Sequence, residues 1–303
     1  MQTFDVLGLG CLAWDEVFYV REYPAENHKA PLFGRTQRAG GTGGTAIRAA
    51  ARYGVQAAWA GTVGVDETSS FVLHALGADG VDLSFARRDA TASVIKTAVI
   101  VNTRRQTRTV LYDLAGAPPC AEDHPPAELI AAAKVLLIDQ FGVEGMLRAV
   151  KLAREAKRSI VADFEADDHL GFEELLPLVD HLIVAEDFAC RFTGAADPSA
   201  AVSRLWTDDR RAVIVTCGEK GCWYRTAEMA SWAVFHMPAP SLDAIDTTGC
   251  GDVFHGVYAG ALAEGHSLEG CLQRATAAAA LKAAAEPGVD DLPRRDAIEQ
   301  ALR

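Results

Sequence analysis

The chain has 303 residues, of which 50% are hydrophobic, and carries a formal net charge of −12. This length and composition can support a large buried core in one domain over residues 1–303. The negative charge argues against a general binder of nucleic acid or of anionic membranes, and no apolar run is long enough to span a bilayer. We therefore expect a cytoplasmic protein with a small-molecule ligand and with no nucleic-acid or membrane partner.

The seven cysteines are odd in number and scattered, and none forms a CxxC pair or a cluster with the spacing of a zinc site. Reduced, mostly buried thiols are the simplest interpretation. Cys250 is the exception, because it is predicted to lie at a helix N-terminus, where the pKa of a thiol can be lowered.

The first predicted strand is the apolar run at residues 6–9, and a second strand-like segment follows at residues 16–20. Gly8 and Gly10 resemble the start of a dinucleotide-binding loop, but the third glycine of that motif is missing. Asp15 comes between the two segments, where its carboxylate could meet a sugar hydroxyl.

Four glycines occur within five positions at residues 40–44, which predicts a loop because glycine disfavours a helix interior. Beyond Thr45 an alanine-rich run predicts a helix that ends at Gly54. The backbone at the start of this helix could contact a ligand. Alternatively, the glycines form a tight turn with a purely structural role.

Residues 92–113 predict two strands joined by a polar turn at residues 103–107. Together with segments at 16–21 and 32–38, they could form a small sheet that projects from the main body. The strands of such a lid would be inserted from about residues 12–38 and 92–113.

From residue 127 onward, short apolar strands alternate with helical patterns, which predicts an α/β fold with a mainly parallel sheet and helices on both faces. Ligands bind such sheets at the carboxyl ends of the strands. Asp139, Asp163 and Glu186 follow three of these strands, so they could surround a magnesium ion. The alternative is that each one caps a helix or a turn.

Residues 241–265 read as an approach to Asp246, a loop of small residues, and a helix that opens near Asp252. The free N–H groups of the helix start and two glycines favour a phosphate. A carboxylate beside an anion site could take the proton of a hydroxyl that attacks phosphorus. Alternatively, Asp252 only stabilises the helix dipole.

Two of these segments carry a family resemblance. AGGTGGTAIRAAARYG, residues 39–54, and DTTGCGDVFHGVYAGAL, residues 246–262, resemble the two signatures of the ribokinase-like, or PfkB, family of carbohydrate kinases. Thr45 stands where the first signature has Asn, and Cys250 where the second has Ala. The resemblance implies a ribokinase-like fold with a small β-sheet lid and ATP-dependent phosphorylation of a sugar.

The resemblance also implies site residues. Asp252 would be the catalytic base, and the amides of Gly249, Cys250 and Gly251 would form an anion hole. The substrate-binding residues assigned on this basis are Asp15, Gly40, Gly41, Thr45 and Lys29. The nucleotide-binding residues are Thr216, Gly218, Lys220, Gly221, Thr276 and Gly288, although residues 219–221 could equally be only a hairpin turn.

Two cations besides the substrates are expected from the same comparison. Glu186, before Thr193 and Gly194, matches the segment linked to magnesium and phosphate, although Ala185 and Phe188 depart from it. K⁺ could order the loop near Asp246, as in some members of the family. The family's lid often also forms a dimer contact, so a homodimer through the lid is expected.

The sequence thus predicts a kinase that uses ATP and Mg²⁺ to phosphorylate a hydroxymethyl group of a sugar or modified sugar. Segments 179–181 and 192–194 and the second signature are most similar to sulfofructose kinases. Phe141 and the region of Leu111 and Tyr112 stand where the sulfonate-binding Asn and Arg of those enzymes are expected. The alternatives are a nucleoside kinase of the same fold and a catalytically weak, sugar-binding regulator.

Overall fold

The computed structural model describes residues 3–229, 233–286 and 292–303. Within these residues the strands are β1 (Phe4–Gly8), β2 (Ala13–Val20), β3 (Gly34–Gly40), β4 (Ala57–Trp59), β5 (Thr62–Val63), β6 (Arg87–Arg88), β7 (Ile95–Asn102), β8 (Thr107–Asp113), β9 (Ala133–Ile138), β10 (Ser159–Asp163), β11 (His181–Ala185), β12 (Ala212–Thr216), β13 (Cys222–Thr226) and β14 (Phe235–Met237). The helices are α1 (Thr42–Tyr53), α2 (Glu67–Ala78), α3 (Ala127–Ala132), α4 (Val143–Glu155), α5 (Phe172–Leu175), α6 (Glu186–Thr193), α7 (Pro198–Leu205), α8 (Cys250–Ala263), α9 (Leu268–Ala283) and α10 (Arg295–Ala301).

The larger sheet has eight strands in the order β14-β13-β12-β11-β10-β9-β1-β4. The strands from β12 to β4 are parallel, and β13 and β14 extend the sheet in antiparallel fashion. Successive residues face opposite layers: Val6 packs in the core beside α1 and α8, and Leu7 packs in the core beside α4. Both faces are covered, which explains the continuous apolar runs and confirms the predicted α/β class.

The smaller sheet has the order β3-β2-β7-β8 and confirms the sheet predicted from residues 16–38 and 92–113. Four side chains on one of its faces form a separate buried cluster: Val17, Tyr19, Val99 and Val101. The edge strand β8 is exposed along its whole length. β2 begins at Ala13, earlier than the predicted start at residue 16, because Ala13 already pairs with Gly40 and with Ile95.

Helix α1 corrects the prediction that the glycine cluster is a loop. The helix begins at Thr42 and includes Gly43 and Gly44, after Gly41 with φ +86°. A Cβ atom on Gly43 would lie 2.3 Å from Cα of Gly10. Glycine is therefore needed there so that the first turn of α1 can touch the loop after β1.

Helix α8 packs against α1 at unusually short range. A Cβ atom on Gly256 would lie 2.0 Å from the carbonyl oxygen of Ala46, and one on Gly260 would lie 2.9 Å from the ring of Tyr53. This close packing aligns the N-terminal ends of the two helices, which carry the two sequence signatures.

One of the helical patterns after residue 127, at residues 172–179, forms a shorter helix than the sequence predicts. It forms one α-turn, α5, followed by a 3₁₀ turn at Leu176–Leu178 that contains Pro177. Proline cannot donate the hydrogen bond that would continue the α-helix. Within the described residues, no helix is both long and apolar enough to cross a membrane.

Candidate active site

The loop before α8 places the predicted anion hole at the start of a helix. Gly249 precedes the helix with φ +78°, and Cys250, Gly251 and Asp252 form its first turn. A Cβ atom on Gly251 would meet nothing within 4 Å, so the backbone there borders open space. The Cys250 amide makes only a long hydrogen bond of 3.4 Å, to the carbonyl of Thr247. The weakly held amides of a helix start and this space suit an oxyanion.

The two signatures meet at this point. A Cβ atom on Gly249 would lie 3.4 Å from Cγ2 of Thr45, which is buried in α1. We call residues 246–251 the anion loop. The structure therefore brings the first signature into contact with the anion loop, although the two are far apart in the chain.

Asp252 is partly buried, and its pKa is raised well above the usual 3.8 by burial, and further by the charges of Asp163 and Glu165. Arg108 acts in the opposite direction. A carboxylate with a raised pKa binds a proton more readily than a free one, which suits a general base.

Asp163 was predicted as a metal ligand, but the structure places it beside Asp252 and against His255. The Asp163 Oδ2 atom lies 3.2 Å from His255 Nδ1, which is also 2.8 Å from the carbonyl of Gly251. The other ring nitrogen, Nε2, lies 3.0 Å from the carbonyl of Ile183. Burial raises the pKa of Asp163 and lowers that of His255, while the carbonyls that face the two ring nitrogens act to raise the pKa of His255.

Asp15 lies in β2 and faces two neighbouring strands. Its Oδ1 atom accepts a hydrogen bond of 2.7 Å from Thr97 in β7. A Cβ atom on Gly40 in β3 would lie 1.9 Å from Asp15 Oδ2, so only glycine leaves room for this carboxylate. The charge of Asp15 also affects the pKa of Asp252, which places both carboxylates in one region.

The remaining substrate-binding predictions separate into two groups. Gly41 lies close to the residues that lead into β2, because a Cβ atom on it would be 2.5 Å from the carbonyl oxygen of Cys11. Lys29, in contrast, lies in an exposed segment outside any helix or strand. The structure does not bring Lys29 to the other predicted residues.

Four of the predicted nucleotide residues, Thr216, Gly218, Lys220 and Gly221, lie at or just beyond the end of β12, next to the end of β11. Lys220 Nζ lies 3.8 Å from Glu186 Oε2, and Thr216 pairs with Ala185 across the two strands. Gly218 and Gly221 both have positive φ and bracket a 3₁₀ turn, as the hairpin-turn alternative required. Thr276 is buried in α9, and its hydroxyl faces the sulfur of Met237. Gly288 lies outside the described residues.

A magnesium site built from Asp139, Asp163 and Glu186 is not formed. Asp139 accepts hydrogen bonds from the Cys11 amide at 2.7 Å, the Thr42 hydroxyl at 2.8 Å and the Phe141 amide at 2.8 Å. No group of three metal-binding side chains occurs in residues 3–229, 233–286 and 292–303. The three-carboxylate hypothesis is therefore wrong, and Asp139 instead holds the loop after β1 against α1.

Asp246, predicted as a ligand of a monovalent cation, is already paired with a buried side chain. Arg38 Nη1 lies 2.9 Å from Asp246 Oδ2, the Tyr19 hydroxyl donates to the same oxygen at 3.3 Å, and the amide of Thr248 donates to Oδ1 at 2.9 Å. Burial acts to raise the pKa of Asp246, but these hydrogen bonds and nearby positive charges outweigh it and lower the pKa. Both carboxylate oxygens are engaged, so this side chain does not fit a bound K⁺.

Cys250 also differs from its prediction. Burial raises the pKa of this thiol to about 11, despite its position at the start of α8. Loss of solvation outweighs the helix dipole here, and the thiol stays protonated at neutral pH.

The sequence matches the profile described as pfkB family carbohydrate kinase over residues 11–294. The chain belongs to the PfkB family. It is 28% identical over 249 residues to Bifunctional protein HldE of Pseudomonas aeruginosa (strain UCBPP-PA14), an alignment that covers 80% of this chain and 52% of HldE. The PfkB chain thus spans about half the length of the first curated relatives that it matches.

Two further comparisons agree with the family. Aminoimidazole riboside kinase of Salmonella typhimurium is 26% identical over 271 residues, covering 83% of the PfkB chain and 84% of that protein. The structure of Arabidopsis thaliana ribokinase complexed with ribose and ATP superposes with a TM-score of 0.84 at 22% identity, covering 100% and 99% of the two chains. The ribokinase-like fold of this PfkB protein is therefore confirmed.

Proposed function

We propose that this PfkB-family protein transfers the terminal phosphoryl group of ATP to a hydroxymethyl group of a sugar or modified sugar. One observation carries the proposal. Asp252, a carboxylate with a raised pKa, lies in the first turn of α8 beside open backbone amides and in the same region as Asp15. A base, an anion site and a polar group for a hydroxyl therefore lie together.

In this proposal Asp252 accepts the proton of the attacking hydroxyl. The amides of Gly249, Cys250 and Gly251 donate to the oxygens of the phosphoryl group in transit and stabilise its charge. Mg²⁺ would neutralise the nucleotide phosphates, and Glu186 is the residue that would hold it.

The sugar would bind at the small sheet and the nucleotide at the ends of β11 and β12. Asp15, Gly40, Gly41 and Thr45 are proposed to orient the sugar; Lys29 would contribute only if its exposed segment moved. Thr216, Gly218, Lys220, Gly221, Thr276 and Gly288 are the proposed nucleotide residues.

Two alternatives differ in class. A nucleoside kinase of the same fold is favoured by the similarity to aminoimidazole riboside kinase, whose acceptor is a riboside. A sugar-binding regulator is favoured by Ala185, Phe188 and Thr276, which depart from the family pattern. Against the regulator stands the environment of Asp252, because binding alone requires no base. None of the three proteins compared above is a sulfofructose kinase, so that subgroup stays a sequence prediction.

The small sheet is proposed to act as the lid and as a homodimer contact in a cytoplasmic enzyme. Its edge strand β8 is open to pairing and exposes an apolar patch: Val110, Leu111, Tyr112 and, just beyond it, Leu114. A lid that excludes water would prevent hydrolysis of ATP.

The test is ADP release from Mg²⁺-ATP with a panel of sugars, sugar phosphates, sulfosugars and nucleosides. Asp252→Asn is assayed in parallel, with Asp209→Asn in the exposed loop before β12 as the matched control. We expect one class of acceptor to be turned over by the wild type and by Asp209→Asn only. If no acceptor is turned over while a sugar still binds tightly, the regulator replaces the kinase.

A further inference from the structure

A buried ion pair connects the small sheet to the anion loop. Arg38 lies at the end of β3, and Asp246 begins the loop that leads into α8, 208 positions later in the chain. Their side chains are 7% and 2% exposed, and Arg38 Nη1 lies 2.9 Å from Asp246 Oδ2. A pair so removed from solvent is screened little by salt.

The pair is part of a larger contact. Tyr19, in the neighbouring strand β2, hydrogen bonds both to Arg38 and to Asp246 Oδ2. The turn between β7 and β8 contacts the same loop: Gln106 donates to the carbonyl of Ala244 at 2.6 Å, and Arg108 donates to the hydroxyl of Thr247 at 3.1 Å. Those two donors are exposed. Two buried positive charges act on the carboxylate: Arg38, which contacts it directly, and Lys282 in α9, whose charge also lowers the pKa of Asp246.

Asp246 in turn determines the shape of the anion loop. Its second oxygen, Oδ1, accepts the amide of Thr248, two residues along and just before Gly249. An aspartate that bonds an amide two residues ahead forms a local turn. The Arg38 guanidinium holds Oδ2 and so restrains the whole carboxylate. Because Oδ1 accepts the Thr248 amide, the conformation of the residues just before α8 is restrained as well.

The same geometry argues against a metal ion on this carboxylate. A K⁺ ion there would need oxygens that the guanidinium, the Tyr19 hydroxyl and the Thr248 amide already occupy. It would also lie beside the positive charge of Arg38 in a poorly solvated place, where like charges repel strongly.

We propose that Arg38 is a built-in cation of the anion loop: a positioning residue that holds Asp246 and makes phosphoryl transfer independent of monovalent metal ions. Since Arg38 belongs to the small sheet, it also ties the sheet that would carry the sugar to the loop that would carry the phosphate. The proposal rests on the kinase function proposed above.

The first test compares wild-type kcat and KM in tetramethylammonium, Na⁺ and K⁺ chlorides at equal ionic strength, with Mg²⁺-ATP. We expect changes of less than about twofold, because the loop already holds its cation. Activation of the wild type by about tenfold or more in K⁺ would overturn the proposal.

The second test removes the guanidinium. Arg38→Ala is expected to lower kcat by about tenfold or more, with a smaller change in KM, since the residue orients the loop and does not touch the substrates. Adding K⁺ or guanidinium chloride at low concentration should restore part of kcat in this variant and leave the wild type unchanged. Arg38→Lys, which keeps a charge, should fall between the two.

The control is Arg35→Ala on the same strand, whose guanidinium is exposed and pairs with Glu16 at the surface. It should match the wild type in every salt. The proposal would be overturned if neither K⁺ nor guanidinium restored kcat in Arg38→Ala and if Arg38→Lys lost as much activity as Arg38→Ala. A side chain with a purely structural role would give that result.

A thermal readout separates this proposal from the kinase function. K⁺ or guanidinium should raise the melting temperature of Arg38→Ala and not that of the wild type, whether or not any acceptor is turned over. If Arg38→Ala does not fold, the double variant Arg38→Met/Asp246→Asn, which removes both charges of the pair, replaces it and should melt cooperatively and show no response to K⁺. A rise in the melting temperature of the double variant on adding K⁺ would contradict a role for this pair, because the variant has no carboxylate charge at position 246 for the ion to neutralise.

Discussion

Among single residues, three aspartates of the candidate site have three different environments. Asp252 lies among other carboxylates and has a raised pKa; Asp246 is bound by Arg38 and has a lowered one; Asp15 accepts a hydrogen bond from Thr97. The same side chain can thus serve as a base, as an anchor for a loop or as an acceptor for a hydroxyl. The neighbours decide the role.

The first prediction concerns pH. Because the pKa of Asp252 is raised above its unfolded value of 3.8, the folded state binds an extra proton, and stability falls as pH rises from 3.8 through the folded pKa. Asp252→Asn removes this cost, so its melting temperature should exceed that of the wild type by a margin that grows with pH. Its activity should fall by roughly 100-fold to 10,000-fold.

Thermal unfolding of both proteins at a series of pH values above about 4, the pKa of an ordinary aspartate, measures the margin. In the wild type, kcat/KM should rise with pH through the raised pKa. A variant that melts below the wild type at alkaline pH would show that Asp252 is held by a favourable interaction of its charge.

The second prediction concerns the space for Asp15. Gly40→Ala places a Cβ atom 1.9 Å from Asp15 Oδ2 and must move the carboxylate or the strand. We expect KM for the sugar to rise by about tenfold and KM for ATP to change little. Gly77→Ala in α2, where a Cβ atom has its nearest neighbour at 3.8 Å, is the matched control and should match or slightly exceed wild-type stability.

Sequence patterns located the elements and several of the candidate residues, but not every element boundary and not the side-chain partners. Asp15, Thr45 and Asp252 were selected because they follow a strand or open a helix, and the structure gathers all three. Arg38, Thr97 and His255 were missed, because what matters is the partner that each one meets across the fold. The only local signal was the position of His255 one turn after Asp252.

At the scale of elements, the site depends on the contact between α1 and α8. The contact is close only because Gly256 has no side chain. Gly256→Ala would place a methyl group 2.0 Å from the Ala46 carbonyl, a backbone atom that cannot rotate away. We expect a loss of about 1–3 kcal/mol in the free energy of unfolding, measured by urea denaturation.

Gly251→Ala provides the comparison within the same helix. Its Cβ atom would meet nothing within 4 Å, so stability should be unchanged or slightly raised while kcat with Mg²⁺-ATP falls. Equal losses of stability in the two variants would mean that the open space at Gly251 is closed by packing in solution.

The fold class was predictable from the alternation of short strands and helices, because period and length are local properties. The start of α1 was not. Glycine at 43 and 44 normally disfavours a helix, but the loop at Gly10 presses so closely on the first turn that no larger residue fits. This tertiary contact outweighs the low helix propensity of glycine. A contact between distant parts of the chain leaves no local sequence pattern from which it could be predicted.

Over the whole molecule, the small sheet contacts the main body near the anion loop and exposes its far edge. Tyr112 is 69% exposed and Leu111 58% exposed on β8. If copies of the chain pair through this edge, the double variant Leu111→Lys/Tyr112→Lys should be a monomer by analytical ultracentrifugation. Leu170→Lys, at an 84% exposed site on the main body, should keep the oligomeric state of the wild type. A monomeric wild type would refute the dimer.

The meeting of Thr45 with Gly249 also has a consequence for folding. α1 belongs to the early part of the chain and α8 to the late part, so a ribosome exposes the first signature long before the loop that completes it. Contacts between such distant segments close slowly, because the intervening chain must be ordered first. The candidate site is therefore among the last features to form, and a nascent chain released before α8 is synthesised holds the first signature without the anion loop and without Asp252.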